Sequence, residues 1–335
     1  MIEKVLILGI RRGGSLIPSS EIQQMIGRCG RSYTESGEAT LIVPEKELSL
    51  AEEYLHSPPE PISSTMNEVE NAAFHCIPAI YQNKITNQET FDRWYKRTLA
   101  AVQGKFIYWE TVKDYLVEKE CLYSNSTGIS LTELGKVSYW FYYSPERLWV
   151  LKNKLLVLMN EQLQKDEFAF SWLLAYQHRA VGEVNVQEVA EYKSSVAERG
   201  LRFDAGETLE GYAYHCLLTR KRPGFLKFEI ADMKQDLGRL FGALKRIAEN
   251  YCPAALKFIS VWEISFERRL PYSLGKIALE FAGAPNTVIF ELNSFSVHTV
   301  KELLEKQHRI EKYGTSSLKN FIHGHELYQK AARKA

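Results

Sequence analysis

Two short apolar runs near the start of the sequence most constrain the fold. "KVLILGI" (4–10) and "GEATLIVP" (37–44) lack helical spacing, which is typical of strands buried on both faces of a sheet. Between them the sequence predicts a helix with an N-cap at Ser19 or Ser20 and an end at Gly30. A strand, a helix and a second strand in this order predict one α/β repeat with parallel strands.

A single α/β repeat does not make a stable sheet, because at least one long strand edge stays unpaired. We therefore expect another polypeptide, or another part of a longer protein, to complete this sheet. The 335 residues, 45% of them hydrophobic, are enough for further domains with cores of their own.

From about residue 66 onward the sequence has a helical pattern, because apolar residues recur at spacings of three and four. Residues 107–145 predict a helix, a small hairpin with a polar turn at 124–128, and another helix, which is the pattern of a winged helix. Residues 145–220 are predicted to be mainly helical. The clearest amphipathic helix spans 227–251. Its predicted apolar face consists of Ile230, Met233, Leu237, Leu240, Phe241, Leu244 and Ile247.

The chain as a whole is nearly neutral and is not a strongly basic protein. Lys and Arg number 42 against 41 Asp and Glu, so any surface for nucleic acid must be a local patch. The five cysteines lack the close spacing of a zinc site, and we expect reduced thiols and no bound metal. No secretory signal and no apolar run of about 18 residues is found. These features predict a soluble cytoplasmic protein without membrane contact.

The stretch "QQMIGRCGR" (23–31) carries two arginines three residues apart, Arg28 and Arg31, each beside a glycine. A planar guanidinium neutralises charge on a transferred phosphoryl group and donates several hydrogen bonds in a fixed fork. Arginines at this spacing on a helix end face one side, and glycines permit a close backbone approach. The alternative is a solvated basic turn without phosphate contact.

This stretch resembles motif VI, Q-x-x-G-R-x-G-R, of superfamily-two helicases. The invariant positions are occupied by Gln24, Gly27, Arg28, Gly30 and Arg31. Further segments are similar to the Ski-type DExH helicases, which include the archaeal fork-repair helicases. Residues 37–66 resemble the strand, helix and linker after motif VI. Residues 91–101 and 112–148 resemble the winged helix with its L-T-x-L-G signature, and residues 227–251 resemble the ratchet helix.

The resemblance implies an α/β fold followed by a mainly α fold. Residues 1–63 would be the C-terminal part of the second RecA-like domain, residues 64–148 a winged helix, and residues 149–335 a helical ratchet-like bundle. In such helicases ATP lies between two RecA-like lobes. The nucleotide contacts implied for this sequence are Gln24, Gly27, Arg28 and Arg31, with Arg28 and Arg31 as the catalytic pair.

Several helicase motifs are missing from the sequence. It has no P-loop, no D-E-x-H box and no motif V, and "IRRGG" (10–14) lacks a correctly placed lysine. We therefore expect this chain alone neither to bind ATP tightly nor to hydrolyse it. ATP and Mg²⁺ would act only together with a protein that carries motifs I to V. Both a separately encoded chain and a lost segment fit this pattern.

Basic residues interleaved with aromatic ones predict contacts to nucleic acid in the winged-helix segment. The candidates are Arg93, Lys96 and Arg97, close in sequence to Trp94 and Tyr95. The alternative is that the aromatic rings form the core and that the charges are its solvated face.

The ratchet-like helix contributes two more candidates, Arg239 and Arg246. In archaeal members this helix presents an arginine and, seven residues later, a tryptophan to single-stranded nucleic acid. Here those positions hold Asp232 and Arg239. An arginine stacks on a base through its guanidinium plane, whereas an aspartate repels phosphate. The alternative is an ordinary helix of a bundle.

The sequence thus predicts the C-terminal part of an ATP-dependent helicase that acts on single-stranded DNA or RNA. The rival interpretation is a non-enzymatic module, derived from a helicase, that binds nucleic acid or protein. A structural adaptor that uses the unpaired sheet edge is a third possibility. Residues 283–306 lack a phosphate-gripping hairpin and are predicted to be structural, and His323 and His325 are predicted to be exposed rather than metal ligands.

Overall fold

The computed structural model describes residues 3–12, 15–30, 37–56, 61–125, 128–176, 185–219, 229–267 and 272–324. The chain divides into two compact units, residues 1–64 and 65–335. The described part is mainly helical and contains three sheets of two strands each.

The first unit is built on a parallel strand pair. Its elements are β1 (Lys4–Leu8), β2 (Arg11–Arg12), β3 (Ser15–Leu16), α1 (Ser19–Ile26), β4 (Glu38–Ile42) and α2 (Leu48–His56). Strands β1 and β4 pair in parallel, with Lys4 opposite Glu38 and Leu8 opposite Ile42. The predicted strand–helix–strand order and the parallel pairing are therefore confirmed.

Both predicted ends of the first helix are wrong. Pro18 precedes α1 in an extended conformation, and no side chain caps the helix start. Pro18 occupies the N-cap position, so both serines lie inside the helix, one and two residues after it. The helix ends at Ile26, before Gly30, because Gly27 has a low helix propensity and the next amides turn back to nearer carbonyls.

Strand β1 is not buried on both faces, contrary to the prediction. Ile7 is buried, but Leu6 and Leu8 are 66% and 78% exposed. Alternation along the strand puts Leu6 and Leu8 on one face, together with Ile42 of β4. Parallel sheets normally have both faces covered, and within the described residues this apolar face lacks cover. The core of the unit lies on the other face and comprises Ile7, Ile10, Ile17, Ile22 and Ala51.

The second unit begins with helices and one hairpin. Its first elements are α3 (Val69–Tyr81), α4 (Gln88–Tyr95), α5 (Leu99–Val102), α6 (Trp109–Glu118), β5 (Leu122–Asn125), β6 (Gly128–Leu131) and α7 (Glu133–Phe141). The strands β5 and β6 pair antiparallel between α6 and α7, as the sequence predicts.

The L-T-x-L-G signature has a packing role at the start of α7. The Thr132 hydroxyl accepts a hydrogen bond from the Gly135 amide at 3.0 Å and so caps the helix. A Cβ atom on Gly135 would lie only 2.2 Å from the Cys121 carbonyl oxygen. The close approach of α7 to the segment before β5 therefore requires glycine at this position.

The rest of the second unit is helical. Its elements are α8 (Pro145–Asn160), α9 (Glu167–Leu174), α10 (Val186–Ala197), α11 (Glu207–Thr219), α12 (Glu229–Tyr251), α13 (Leu256–Glu267), α14 (Tyr272–Glu280), α15 (Asn286–Ser294), α16 (Val300–Glu305), α17 (Gln307–Tyr313) and α18 (Ser316–Gly324).

Helix α12 contributes a full apolar face to one large core. The side chains predicted for this face are buried from Met233 to Ile247, and that of Ile230 lies outside the described residues. The same core contains residues from Ala72 to Leu279, so it is continuous across residue 148, where the sequence predicts a domain boundary. The division into three domains stays a prediction.

A second cluster is formed by α14 to α18. Val288, Leu292, Val297 and Leu303 are buried in it, in agreement with the structural role predicted for residues 283–306. All five cysteines are free thiols, and three of them are buried. Among the described helices, none combines the length and the apolar run that crossing a bilayer demands.

A buried carboxylate joins α8 to α12. Arg147 Nη2 on α8 lies 3.4 Å from Asp236 Oδ2 on α12 and 4.0 Å from Glu210 Oε1 on α11. The Tyr143 hydroxyl donates a hydrogen bond to Asp236 Oδ1 at 2.8 Å, and the Arg147 guanidinium lies 4.5 Å from the centre of the Tyr143 ring. Asp236 thus fixes α12 against the start of α8.

A second buried pair joins α8 to α11. Lys154 Nζ donates hydrogen bonds to Glu207 Oε2 at 2.9 Å and to the Ala175 carbonyl at 2.8 Å. Burial lowers the pKa of Lys154, although the charge of Glu207 opposes this effect. Removing one partner of such a pair leaves a buried charge without compensation.

We expect Gly135→Ala to lower the free energy of unfolding by about 2 to 3 kcal/mol, because the new methyl group overlaps the Cys121 carbonyl. Urea unfolding followed by circular dichroism measures this change. The control is Gly238→Ala on α12, where a Cβ meets no atom within 4 Å. There alanine should stabilise the helix by about 1 kcal/mol. A Gly135→Ala protein as stable as the wild type would contradict the packing role.

The Asp236 cluster predicts a loss of stability in acid. Burial alone would raise the pKa of Asp236, but the charge of Arg147 and hydrogen bonds from Arg239 and Tyr143 lower it below its ordinary value. Because the folded pKa is the lower one, the contribution of Asp236 to stability is complete above about pH 4. It is lost as the pH falls through the folded pKa.

We therefore expect Asp236→Asn to destabilise the protein by about 3 kcal/mol at pH 7, since Arg147 loses its charged partner. On acidification from pH 5 to pH 2 the variant should lose less stability than the wild type. Urea unfolding at several pH values tests both points. Glu249→Gln, which removes an exposed carboxylate from the same helix, should change stability by less than about 0.5 kcal/mol. Equal acid sensitivity of wild type and Asp236→Asn would refute the assignment.

Candidate functional site

The turn after α1 carries the first arginine of the motif. The amide of Arg28 donates to the Met25 carbonyl at 3.1 Å, and the amide of Cys29 donates to the Ile26 carbonyl at 3.2 Å. Arg28 therefore follows the helix instead of lying in its last turn as predicted. Its side chain is exposed, and so is that of Gln24 in the last turn of α1. The end of α1 and the turn after it thus present the side-chain amide of Gln24 and the guanidinium of Arg28 to solvent.

The second arginine, Arg31, lies outside the described residues, so its place beside Arg28 stays a prediction. The structure does describe Gly30 and Gly37, which flank that segment in the sequence. Gly30 has a φ of +62°, a value that favours glycine. A Cβ atom on Gly37 would lie 2.5 Å from the Gly30 amide nitrogen. The start of β4 thus packs directly against the turn that carries Arg28.

The chemistry of this turn suits phosphate oxygens rather than a metal ion. Gln24, Gly27 and Arg28 offer amide and guanidinium groups but no carboxylate for Mg²⁺. In the part of the chain that the structure describes, no group of three or more His, Cys, Asp or Glu side chains is arranged to hold a metal. A nucleotide at this turn would need its metal ligands from another segment.

The basic residues of the second candidate group lie at the end of α4. Arg93, Lys96 and Arg97 are exposed, and Arg93 Nη2 contacts Glu89 Oε1 at 2.7 Å. Exposed pairs of this kind contribute little to stability. The three cations therefore remain accessible to a phosphate.

The aromatic residues beside them belong mainly to the core. Tyr95 and Trp109 are buried, and Phe91 packs between them with ring centres 5.7 and 5.2 Å away. Trp94 is partly buried, whereas Phe106 is 74% exposed. The alternative that the rings form the core is therefore correct for Tyr95, which together with Trp109 fills the space between α4 and α6.

Arg239 on α12 is held inside the Asp236 cluster. Its Nη2 donates to Asp236 Oδ1 at 2.6 Å, and its guanidinium lies 4.5 Å from the centre of the Tyr143 ring. Burial alone would lower the pKa of Arg239, but the hydrogen bonds with Asp236 and Tyr143 raise it. About half of the side chain is exposed. The side chain of Asp232, one heptad earlier, lies outside the described residues.

Arg246 has a more open environment. It lies seven residues after Arg239, so both project from the same side of α12. Its Nη1 contacts Glu249 Oε2 at 2.9 Å in an exposed pair, and its guanidinium lies 5.9 Å from the centre of the Trp140 ring on α7. A phosphate can replace Glu249 here with little loss of free energy.

The structure brings the α12 arginines together with α7 but does not add the α4 cations to them. Helix α12 packs on α7, α8, α11 and α13, whereas α4 packs on α6. Trp140, Tyr143 and Asp236 were not predicted from the sequence as residues of this region. The aromatic run "SYWFYYS" (138–144) was the signal for the first two, because Trp140 follows Lys136 by four residues and so shares a helix face with it.

No family model matches this sequence. It is, however, similar to archaeal proteins described as ATP-dependent DNA helicase Hel308. The relative from Thermoplasma acidophilum is 30% identical over 151 residues, which are 42% of this chain and 22% of the relative. The relative from Caldivirga maquilingensis is 27% identical over 184 residues, 51% and 24% of the two chains. The relative from Thermoplasma volcanium is 26% identical over 157 residues, 44% and 23% of the two chains.

The matched residues thus span less than a quarter of the length of each of these relatives. The similarity is distant and partial. Over about half of its length the chain is similar to archaeal Hel308 DNA helicases, a family of superfamily-two helicases.

Proposed function

We propose that this chain is the C-terminal part of an ATP-dependent DNA helicase, with motif VI in its first unit and a surface for single-stranded DNA in its second. The observation that carries the proposal is the strand–helix–strand unit of β1, α1 and β4, which exposes Gln24 and Arg28 at one turn. The similarity to three Hel308 helicases supports the same reading.

In the complete enzyme the arginines would act on a nucleotide that another segment holds. Arg28 and Arg31 would neutralise charge on the γ-phosphate during its transfer, and Gln24 and Gly27 would contact the nucleotide beside them. ATP brings the phosphoryl group, and Mg²⁺ neutralises its oxygens. The P-loop and the metal-binding carboxylates would come from a polypeptide that carries motifs I to V.

The exposed sheet face supports a contribution from such a polypeptide. Leu6, Leu8 and Ile42 present apolar surface on the side of the sheet opposite the core. Burial of apolar surface stabilises by about 25 cal/mol per Å². Further strands and helices of a RecA-like domain would cover this face and pair the edge of β1 that has no partner strand among the described residues.

The second unit would bind the DNA strand. Arg239 and Arg246 project from one side of α12, and Arg93, Lys96 and Arg97 form another exposed basic group on α4. Because the net charge of the chain is only +1, binding would depend on these local groups. The strand would contact them through its phosphates.

A non-enzymatic DNA-binding module is the second candidate function. The observation that favours it is the large core of the second unit, whose members all lie between Ala72 and Leu279. This unit therefore contains its own core, without residues of the first unit. A module of this kind would bind DNA without any dependence on ATP.

The first test of the proposal is ATP hydrolysis by this chain alone and mixed with a polypeptide that carries motifs I to V. That polypeptide is taken from a neighbouring reading frame or from the N-terminal part of the Thermoplasma acidophilum relative. We expect activity only in the mixture, stimulated by single-stranded DNA. Arg28→Ala or Arg31→Ala should lower kcat by about 10³-fold, as for other arginines that stabilise phosphoryl transfer.

Arg12→Ala is the matched control, since Arg12 is an exposed arginine of the same unit, paired with Glu21. It should leave kcat unchanged. Hydrolysis that survives loss of Arg28 and Arg31 would contradict the motif VI role. Absence of hydrolysis in every mixture, with DNA binding intact, would favour the binding module.

The second test is the salt dependence of DNA binding, measured by fluorescence anisotropy with a labelled single-stranded oligonucleotide. Loss of one phosphate contact lowers the slope of log K against log salt by about 0.7. We expect this change for Arg246→Ala and no change for Lys301→Ala, an exposed cation on α16. An unchanged slope for Arg246→Ala would exclude Arg246 from the phosphate contacts.

A further inference from the structure

The solvent side of α7 carries partly exposed aromatic rings. Lys136, Tyr139 and Trp140 share one face of this helix, because they lie three and four residues apart. Trp140 is 48% exposed. Tyr139 stacks on Tyr81 at the end of α3, with ring centres 4.2 Å apart and planes 22° apart. Tyr81 is itself 42% exposed, so the stacked pair reaches the surface.

A cavity of about 540 Å³ opens beside this tyrosine pair, between the end of α3 and the β6–α7 connection. Tyr123 on β5 is exposed at its rim. The rest of the lining is mixed. Asn83, Ser130, Glu133 and Lys136 contribute polar side chains, and Ile80, Ile129 and Leu131 contribute apolar ones. Thr132 also lines the cavity, but its hydroxyl already bonds the Glu120 carbonyl and the Gly135 amide.

The charges around this face lie at its two ends. Arg246 lies over the Trp140 ring with its guanidinium 5.9 Å from the ring centre. Lys136 at the cavity contacts Glu133 at 2.6 Å, and Arg246 contacts Glu249 at 2.9 Å. Both pairs are exposed, so each cation can exchange its carboxylate for another anion at little cost. The face therefore has an aromatic middle, a cation beside Trp140 and hydrogen-bonding groups in the cavity.

The position of Trp140 next to Arg246 is fixed by close packing of α7 on α12. A Cβ atom on Gly242 would lie 2.6 Å from Cε1 of Phe141, so the two helices approach where glycine leaves room. Helix α7 ends directly after Phe141, and Ser138 Oγ donates to the Tyr143 carbonyl at 2.6 Å. The ring is thus held on a rigid element.

We propose that Trp140, Tyr81 and Tyr139 form a stacking platform for unpaired bases of single-stranded DNA. Exposed aromatic rings with a cation beside them suit such a strand, because every base has a face that can stack and every linkage carries a negative charge. Arg246 binds a phosphate at the end of the platform. The cavity beside Tyr81 accepts a base edge through its polar lining. The choice of DNA as the ligand rests on the function proposed above.

The test compares two labelled 12-nucleotide strands, oligo-dT and an abasic strand of the same length, in anisotropy titrations of the full chain. The abasic strand keeps the phosphates but has no bases. We expect Trp140→Ala to weaken binding of oligo-dT by about tenfold and to leave binding of the abasic strand unchanged. Tyr81→Ala should also weaken binding of oligo-dT. Trp140→Phe keeps an aromatic ring and should bind oligo-dT with most of the wild-type affinity.

Tyr313→Ala is the matched control, because Tyr313 is an exposed aromatic residue on α17, outside the platform. It should bind both strands as the wild type does. Oligo-dT should also quench tryptophan fluorescence of the wild type more than that of Trp140→Phe. Thermal melts of each variant show whether it is folded.

Three results would overturn the platform. Equal binding of oligo-dT by wild type and Trp140→Ala, with weaker binding by Arg246→Ala, would remove the platform but leave DNA binding by the second unit in place. If Trp140→Ala lost equal affinity for oligo-dT and for the abasic strand, Trp140 would support the fold instead of stacking on bases. Failure of the wild type to bind either strand would remove both the platform and the proposed DNA surface.

Discussion

The arrangement of the second unit depends on one buried carboxylate. Asp236 accepts hydrogen bonds from Tyr143 and Arg239 and lies 3.4 Å from Arg147, so the groups that compensate its charge come from α12, α8 and the segment before α8. A buried charge needs such partners, because burial without them is unfavourable by several kcal/mol. The cluster therefore fixes α12 against the start of α8 and the segment that follows α7, while Phe141 packs α7 on Gly242 of α12. Together these contacts place Arg246 beside Trp140.

Local patterns predicted much of the fold. The parallel strands β1 and β4, the hairpin of β5 and β6 and the apolar face of α12 all follow from the spacing of apolar residues. The exposure of Leu6 and Leu8 was not predicted. The spacing of apolar residues indicates which surface of a strand is apolar, but not whether another part of the chain covers that surface. The ends of α1 were also missed, since a proline start and an early glycine outweighed the expected serine cap.

The candidate sites were predictable to different extents for a physical reason. The motif around Arg28 is contiguous in sequence, so its pattern is visible without the fold. Arg239 and Arg246 look alike in sequence, seven residues apart on one helix. They differ in the structure, because Tyr143, from a distant part of the sequence, contacts Arg239 in the Asp236 cluster, while Arg246 pairs with the exposed Glu249 and lies beside Trp140. Contacts between helices thus give the two arginines different surroundings.

The two proposed activities make separate physical demands on the two units. Hydrolysis requires that further chain cover the apolar face of Leu6, Leu8 and Ile42 and bring a P-loop to the Arg28 turn, because a two-stranded sheet is marginally stable alone. DNA binding requires only the surface of a unit whose core is already closed. If the proposed function holds, coupling of ATP to DNA movement would depend on completion of the first unit, whereas affinity for the strand would depend on the rings and arginines of the second.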